Sequence, residues 1–457
     1  MTKFLAEINA LIKLALPVSL AQMAMMGMSA TDVLIAGQAG TVELAGMNLG
    51  ANTWNLVILF FMGVGFATQP LVAKRFGAGD DAGVKHQVQQ SLWMCFGLGL
   101  LATLTICFVA WVMQFLNFEE NMLAVARQYL YVISVSALPL TMMAALRGSL
   151  EGMSLTRVTF IINFVAFLIN IPLDYALVHG LWGLPRFGGV GCALASAILI
   201  WASFIASILV LKLHRKIRAK ALLNNIEGPS REAILNTVKI GLPISVSIII
   251  EMSLFSGSGI FIAQFGPIET GAHAIALTIA SMSFMLYMGI GQGITIRASH
   301  LLGAQKGAQA WYAIKTGTIF SLALSVLICI LFVLFTKPLV SLFSDDLSLV
   351  PLAVVLLYFG AAFQIVDSLQ VSAVFGLRAY HDTASPPKYQ FVAFWLFGLP
   401  IGVGFAFYGA SVGLSGAKGM WFAMVVSLFV VGALLTRRLM VVAQQQTAML
   451  DIKSGDE

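Results

Sequence analysis

Long apolar windows recur along the whole chain and are separated by short polar stretches. They fall at residues 10–36, 46–72, 88–114, 122–146, 157–179, 188–211, 237–264, 272–296, 311–336, 349–376, 388–410 and 416–436. A membrane-spanning helix needs roughly 20 apolar residues, because each residue rises about 1.5 Å through a hydrocarbon core about 30 Å thick. The pattern predicts an all-α polytopic membrane protein with twelve transmembrane helices.

The same pattern occurs twice, at a spacing of 226 residues. KLALPVS at residues 13–19 aligns with KIGLPIS at residues 239–245, and the register holds through two spans. Six spans return the chain to the side on which it started, so the two halves run in the same order across the membrane. Parallel repeats with binding sites at their interface are an architecture of alternating-access carriers.

The duplication predicts two six-helix lobes joined by a charged stretch. The N-terminal lobe covers residues 1–211, a cytoplasmic linker covers 212–236, and the C-terminal lobe with a short cytoplasmic tail covers 237–457. We expect a monomer whose outer face contacts membrane lipid.

Composition and charge agree with a membrane protein and set its orientation. Hydrophobic residues make up 59% of the 457 residues and charged residues 10%, against about 25% charged in soluble domains. If both termini are cytoplasmic, all Lys and Arg lie inside except Arg127, Arg186, Lys337 and Lys418. The positive-inside rule therefore predicts cytoplasmic termini, in a multi-pass protein expected in the bacterial inner membrane. The basic net charge is explained by this topology, with no nucleic-acid partner.

Four carboxylates lie inside spans: Asp32, Asp174, Glu251 and Asp367. An ionisable group in hydrocarbon costs roughly 2.5–3.5 kcal/mol on insertion scales, so such residues mark ion or substrate pathways by default. The alternative is that these acids are hydrogen-bonded core groups that join helices. No Lys or Arg lies mid-span to neutralise them, which favours an ion or proton pathway.

The rise of a helix places these acids in two pairs. Counted from the nearest cytoplasmic basic residue, Asp32 lies about 28 Å deep and Asp174 about 26 Å. Glu251 lies about 18 Å deep and Asp367 about 16 Å. We therefore predict one acidic site in the outer part of the first lobe and another near the midplane of the second.

Neighbouring amides extend both predicted sites. Asn170 lies one helical turn before Asp174, and Gln364 lies near Asp367. Carboxylate and amide oxygens suit either a proton or a hard cation such as Na⁺, and the sequence leaves both open. We expect no cofactor and no metal other than possible Na⁺ at Asp32 and Asp174 or at Glu251 and Asp367.

Prolines mark the first helix of each half. Pro17 and Pro243 are equivalent in the repeat, and each removes a backbone hydrogen bond, so we predict hinges or kinks there. At about 100° per residue, Asp32 and Glu251 point to the same side of their helices relative to these prolines. The position matching Asp32 is Ser258, so the two acidic sites are not copies of each other.

Two further acids each follow an arginine by four residues at a helix end. Glu151 follows Arg147, and Asp382 follows Arg378. This spacing places both side chains on one helix face, so we predict two structural ion pairs.

The substrate class follows from the same charges. A cavity lined by unpaired acids, in a chain with 32 Phe and 21 Met, favours bulky apolar or aromatic cations through charge attraction and cation–π contacts. An enzyme is not expected, because the chain has no HExxH, paired-histidine or Gly-x-Ser-x-Gly pattern.

The chain resembles the multidrug and toxic compound extrusion (MATE) transporters, and within them the bacterial NorM branch. The motifs that carry the resemblance cover nearly the whole chain: LALPVSLAQ with Asp32, EGMSLT at 151–156, NIPLD at 170–174, GGVGCA at 188–193, Glu251, Asp367 followed by LQVSA, and LRAYHDT at 377–383. The resemblance implies a V-shaped pair of lobes that exports organic, often aromatic cations in exchange for inward H⁺ or Na⁺.

Specific roles also follow from the resemblance. Asp32 resembles the first-helix acid implicated in coupling, and Glu251 and Asp367 resemble the NorM acids linked to cation binding. The chain departs from some NorM proteins at Phe363, where a Tyr is expected, and at Asp174, where an Asn is expected. The sequence thus predicts a multidrug efflux antiporter; the alternative is a flippase for lipid-linked precursors from the same superfamily.

Overall fold

The chain folds into long helices, as the apolar windows predict. The computed structural model describes residues 2–117, 119–183, 185–214, 221–344 and 346–455, and within these ranges it contains no strand. The α-helices are α1 Thr2–Ala39, α2 Thr41–Gly65, α3 Thr68–Gly77, α4 Asp81–Val112, α5 Glu120–Ser134, α6 Ala137–Gly152, α7 Thr156–His179, α8 Gly189–Leu213, α9 Arg231–Ala263, α10 Pro267–Gly303, α11 Gly307–Leu334, α12 Thr336–Ser341, α13 Val350–Ala379, α14 Ser385–Gln390, α15 Leu399–Tyr408 and α16 Ala417–Gly455.

The predicted twelve spans are present when one bent pair of helices is counted as a span. Among the described residues, eleven helical segments are long and apolar enough to cross a membrane. The twelfth consists of α5 and α6, which meet at a bend of 50°. The all-α membrane fold is therefore confirmed.

The helices form two compact units, Leu20–Ser245 and Met1–Ser19 with Val246–Glu457. Both boundaries fall inside a helix, two residues after Pro17 in α1 and two after Pro243 in α9. We call residues 2–19 arm 1 and residues 231–245 arm 2. Arm 1 comes from the first half of the repeat but belongs to the unit built mainly from the second half. Arm 2 comes from the second half but belongs to the unit built mainly from the first. The lobe limits at 211 and 237 stay a prediction, and residues 215–220 of the predicted linker lie outside the described ranges.

The two arms are held by equivalent contacts. The Ser19 hydroxyl of arm 1 donates to the Leu286 carbonyl at 3.3 Å, and the Ser245 hydroxyl of arm 2 donates to the Phe60 carbonyl at 2.7 Å. Both members of one contact are displaced by 226 residues from those of the other. The repeat therefore extends to the packing of the arms.

Glycines allow each arm to approach closely. A Cβ built at Gly289 of α10 would lie 2.7 Å from the Ser19 backbone nitrogen, and one at Gly63 of α2 would lie 2.8 Å from Ser245 Cα. At these distances from backbone atoms, a methyl group on either glycine would clash. The repeated glycines are thus explained by helix approach.

We expect a Gly289→Ala variant to lower the free energy of unfolding by about 1–3 kcal/mol, because the added methyl overpacks the contact with arm 1. Thermal unfolding of the purified protein measures this change. Gly404→Ala is the matched control, since a Cβ at Gly404 meets no atom within 4 Å. Equal unfolding midpoints for the two variants would contradict the predicted clash.

Glutamates from a distant part of the sequence cap one helix in each half. Glu43 accepts a hydrogen bond from the Gly189 nitrogen at 2.6 Å, and Glu269 accepts one from the Ala417 nitrogen at 2.8 Å. Gly189 and Ala417 are the first residues of α8 and α16. Backbone N–H groups at a helix start lack intrahelical partners, and a negative charge there stabilises the helix. A capping role for these acids was not predicted.

Replacing either capping glutamate by alanine is expected to cost roughly 1–3 kcal/mol of folding stability, since a helix N–H loses its acceptor. The control is Glu119→Ala, because Glu119 precedes α5 without a side-chain capping bond. Chemical denaturation of the three variants tests the prediction, which fails if Glu43→Ala and Glu269→Ala match the control.

The structure confirms one of the two predicted ion pairs and corrects the other. Arg147 Nε lies 2.7 Å from Glu151 Oε1 within α6. Asp382, however, pairs with Arg438 at 2.7 Å rather than with Arg378. Helix α13 ends at Ala379, and His381 has a positive φ of 60°. The helical spacing between Arg378 and Asp382 is therefore lost.

The end of the predicted linker is bound to α4 by buried glutamines. Gln89 donates to the Leu222 carbonyl at 2.9 Å and accepts from the Glu227 nitrogen at 2.9 Å. Gln90 accepts from the Ser230 nitrogen at 2.7 Å. These bonds satisfy the linker backbone and fix the start of arm 2, so this stretch is more than a charged connection.

Candidate functional site

The first predicted site is assembled in the unit Leu20–Ser245. Asp32 lies near the end of α1, and Asn170 and Asp174 lie one turn apart on α7. The Asn170 amide donates to Asp32 Oδ1 at 3.3 Å, and the Asp32 and Asp174 carboxyl groups face each other. Asp174 and Asn170 are both 0% exposed. The structure therefore brings together Asp32 and Asp174, which helical depth had paired, and the neighbouring Asn170.

The cluster has more acceptors than donors. Neither oxygen of Asp174 receives a hydrogen bond from any described residue, and the same holds for the Asn170 amide oxygen. Ionised carboxylates only accept hydrogen bonds, and an unsatisfied buried polar group costs about 1–3 kcal/mol. A proton shared between the acids, or a hard cation bound by their oxygens, would supply what is missing.

Close helix packing positions the first site. Gly27 of α1 lies against Phe167 of α7, where a Cβ would be 2.8 Å from the Phe167 ring. Cys192 of α8 donates its thiol to the Asp32 backbone carbonyl at 3.7 Å, and the buried Tyr129 lies near both acids. Neither Cys192 nor Tyr129 was predicted to lie at the site, because both residue types are common inside membrane spans.

The second predicted site lies in the other unit. Asp367 of α13 is 1% exposed, and neither of its oxygens has a hydrogen-bond partner among the described residues. Glu251 of α9 is within electrostatic range of Asp367. Gln364 is fully buried one turn before Asp367, but no hydrogen bond joins the two in the described part of the chain. The two acids are neighbours, whereas Gln364 does not complete the site as a direct partner.

Glu251 has polar neighbours that sequence reasoning missed. Gln390 donates to Glu251 Oε2 at 3.4 Å and accepts a hydrogen bond from the Ser247 hydroxyl. The Gln370 side chain of α13 interacts with the same carboxylate. Gln390 ends α14 and precedes a π-helix, Phe391–Gly398; π-helical turns are frequent at functional sites. Gln390 had no sequence signal because it is 139 residues from Glu251, whereas Gln370, one helical turn after Asp367, could have been found by the same helical spacing that pointed to Asn170.

Arg378 is the basic residue nearest this second site. Its guanidinium lies 4.3 Å from the centre of the Phe375 ring and within electrostatic range of Glu251. Because no Lys or Arg lies mid-span, the sequence predicted that the acids have no cationic neighbours. This is wrong for Glu251, since the long Arg378 side chain comes near it from the end of α13. The buried Tyr287 lies near Asp367, and its hydroxyl has no partner in the described ranges.

The two sites differ in their charge balance. The first contains two carboxyl groups and an amide, with no cationic side chain among the contacts described. The second contains two acids with one arginine nearby. The first site therefore has the stronger need for an exchangeable proton or cation.

A known family matches both halves of the repeat. Its sequence model, described as MatE, matches residues 17–176 and 243–403. These matches begin at Pro17 and Pro243 and contain all four membrane-embedded acids.

Individual relatives and structures agree with this match. The chain is 31% identical over 439 residues to the multidrug resistance protein NorM of Vibrio vulnificus strain YJ016, covering 96% of each chain. It is 31% identical to the probable multidrug resistance protein NorM of Idiomarina loihiensis, covering 95% of this chain and 94% of that one. Its fold resembles a crystal structure of MATE in complex with MaL6, with a TM-score of 0.86 at 17% identity, covering 96% and 97% of the two chains. This chain therefore belongs to the MatE (MATE) family of membrane transporters and to its NorM branch, and it is a transporter rather than an enzyme.

Proposed function

We propose that the protein is a secondary multidrug efflux antiporter that exports organic, often aromatic cations in exchange for inward H⁺ or Na⁺. The observation that carries the proposal is the Asp32, Asn170 and Asp174 cluster, where the half-buried Asp32 faces the fully buried Asp174 and no described residue donates a hydrogen bond to Asp174. Such a cluster is suited to binding a small cation or proton, because its carboxylate oxygens outnumber the hydrogen-bond donors around them. The names of the relatives support multidrug export as the process it drives.

Coupling follows from competition for these acids. A proton or Na⁺ at Asp32 and Asp174 neutralises the charge that attracts a cationic drug, so inward ion binding favours drug release. Exchange requires that ion and drug have different affinities for the inward-open and outward-open states. Glu251 and Asp367 form a second cation site, with Gln390 and Arg378 tuning Glu251. Pro17 and Pro243 serve as hinges, because each lies at the point where its helix passes from one compact unit to the other.

The proposal includes a cellular setting, in which the distribution of Lys and Arg supports cytoplasmic termini. Both termini are cytoplasmic, the protein is a monomer, and its location is the bacterial inner membrane. Its substrates are small amphipathic or aromatic cations, and no cofactor takes part.

The test is dye movement in proteoliposomes that hold either a proton gradient or a Na⁺ gradient. Ethidium should move against its own gradient under one of these conditions, and an ionophore that collapses that gradient should stop it. Ethidium movement that ignores both gradients would refute antiport, and binding of lipid-linked pyrophosphates without dye transport would favour the flippase. The acidic first site argues against that rival, because a pyrophosphate requires basic partners.

A further inference from the structure

A groove of about 400 Å³ lies between α11, α13 and α16, away from both acidic sites. Its outer rim consists of exposed side chains, among them Ile319 at 53% and Met440 at 46% exposure. All three helices are membrane spans, so a groove with this rim opens toward lipid. Its volume is in the range of roughly 300–1,000 Å³ found for small-molecule sites.

The groove lining is mainly apolar, and its charged and amide side chains lie at one end. Lys315 and Gln444 are exposed there, and the Lys315 ammonium lies 4.8 Å from the centre of the Trp311 ring. The Thr436 hydroxyl is buried at the same groove without a hydrogen-bond partner in the described chain. The lining therefore combines an apolar channel with a cation, an amide and a free hydroxyl.

The charge of the lining decides which ligand fits. None of its residues is Asp or Glu, and Lys315 has no carboxylate partner among the described residues. A cationic drug would meet repulsion here, whereas an anionic head group would meet an unpaired ammonium. The groove is thus complementary to an anionic amphiphile.

The position of the groove identifies the source of that amphiphile. Lys315 lies eight residues, about 12 Å, past the start of α11 at Gly307, and Gln444 lies five residues before the end of the α16 span at Met449. This end of the helices carries the basic residues assigned to the cytoplasmic side. Trp and Lys are typical of the membrane interface, and basic pockets between helices on that side bind anionic lipid head groups.

We propose that this groove is a binding site for one anionic phospholipid of the inner leaflet. The phosphate binds Lys315 and the Gln444 amide at the polar end, and an acyl chain lies along Ile319 and Met440. The site is separate from the efflux pathway, so the result of its test does not depend on the transport proposal.

Native mass spectrometry of the purified protein, with equal amounts of phosphatidylglycerol and phosphatidylcholine of the same acyl chains, tests this site. The parent should retain phosphatidylglycerol in preference to phosphatidylcholine. Lys315→Gln and Gln444→Glu should each lower phosphatidylglycerol retention about fivefold, the effect of one charge near the lipid surface.

Matched controls separate this groove from general surface charge. Lys306→Gln removes an exposed lysine from the same end of α11, and Gln445→Glu adds a carboxylate one position along α16; neither residue lines the groove. Both controls should retain phosphatidylglycerol like the parent. Equal losses in controls and groove variants, or equal retention of the two lipids by the parent, would overturn the proposal. Displacement by millimolar inorganic phosphate would make this a free-anion site and would overturn it as well.

Discussion

An Asp32→Asn variant is expected to lose ethidium export by roughly tenfold or more, a size typical of coupling between two ligands. Asparagine keeps the volume and can still contact Asn170, whose amide donates to Asp32 at 3.3 Å. It cannot hold the charge that a proton or Na⁺ neutralises, and its own amide can donate to Asp174. Asp174 would then have a hydrogen-bond donor without a bound proton or Na⁺. Efflux from intact cells, normalised to protein in the membrane, measures the loss.

The control for Asp32→Asn is Asp346→Asn, which makes the same chemical change at an exposed loop outside the spans. It should export ethidium like the parent. If Asp32→Asn also exports like the parent at equal expression, the first site has no part in coupling.

The rise per residue of a helix was enough to predict that Asp32 and Asp174 lie close together. A rise of about 1.5 Å per residue placed Asp32 and Asp174 within about 2 Å of the same depth, and the structure brings their carboxyl groups face to face. Depth holds here because α1 and α7 each continue as one helix past an internal proline, Pro17 or Pro172, up to the acid. The same regularity explains why the spans and the duplication could be predicted from apolar windows.

Contacts that depend on a helix end or on a distant segment could not be predicted. The Arg378 and Asp382 pair failed because the helix stops at Ala379, which depends on the loop that follows. The cap that Glu43 provides to Gly189 joins residues 146 positions apart. Spacing along a sequence carries no information about such pairs.

The two halves of the repeat also differ in helix type at one shared sequence. The sequence FVAF occurs at residues 164–167 and at 391–394; the first copy is α-helical within α7, whereas the second begins the π-helix Phe391–Gly398. Identical local sequences cannot select different helix types by propensity. The selection therefore comes from outside these four residues, and Gln390, bonded to Ser247 and Glu251, lies directly before the π-helix.

An Asp367→Asn variant is expected to lower drug export roughly tenfold while leaving the unfolding midpoint unchanged or raising it. Asp367 is buried, and no hydrogen bond from the described residues reaches its oxygens. A buried charge without a partner destabilises the fold, so removing the charge relieves a cost. A role in binding an ion or substrate accounts for an acid at this position. Export assays and thermal unfolding of the same preparation measure the two effects.

Glu151 provides the opposite case, because it is equally buried but fully paired. It lies 2.7 Å from Arg147 Nε and accepts from the Gln69 amide at 2.6 Å. Glu151→Gln leaves the Arg147 charge unpaired and is expected to cost roughly 3–5 kcal/mol of stability. The two variants should therefore behave differently. Asp367→Asn should lose export and keep its stability, whereas Glu151→Gln should lose stability. If Asp367→Asn instead unfolds like Glu151→Gln, then Asp367 is a structural residue, and the second acidic site has to be withdrawn while the first stands.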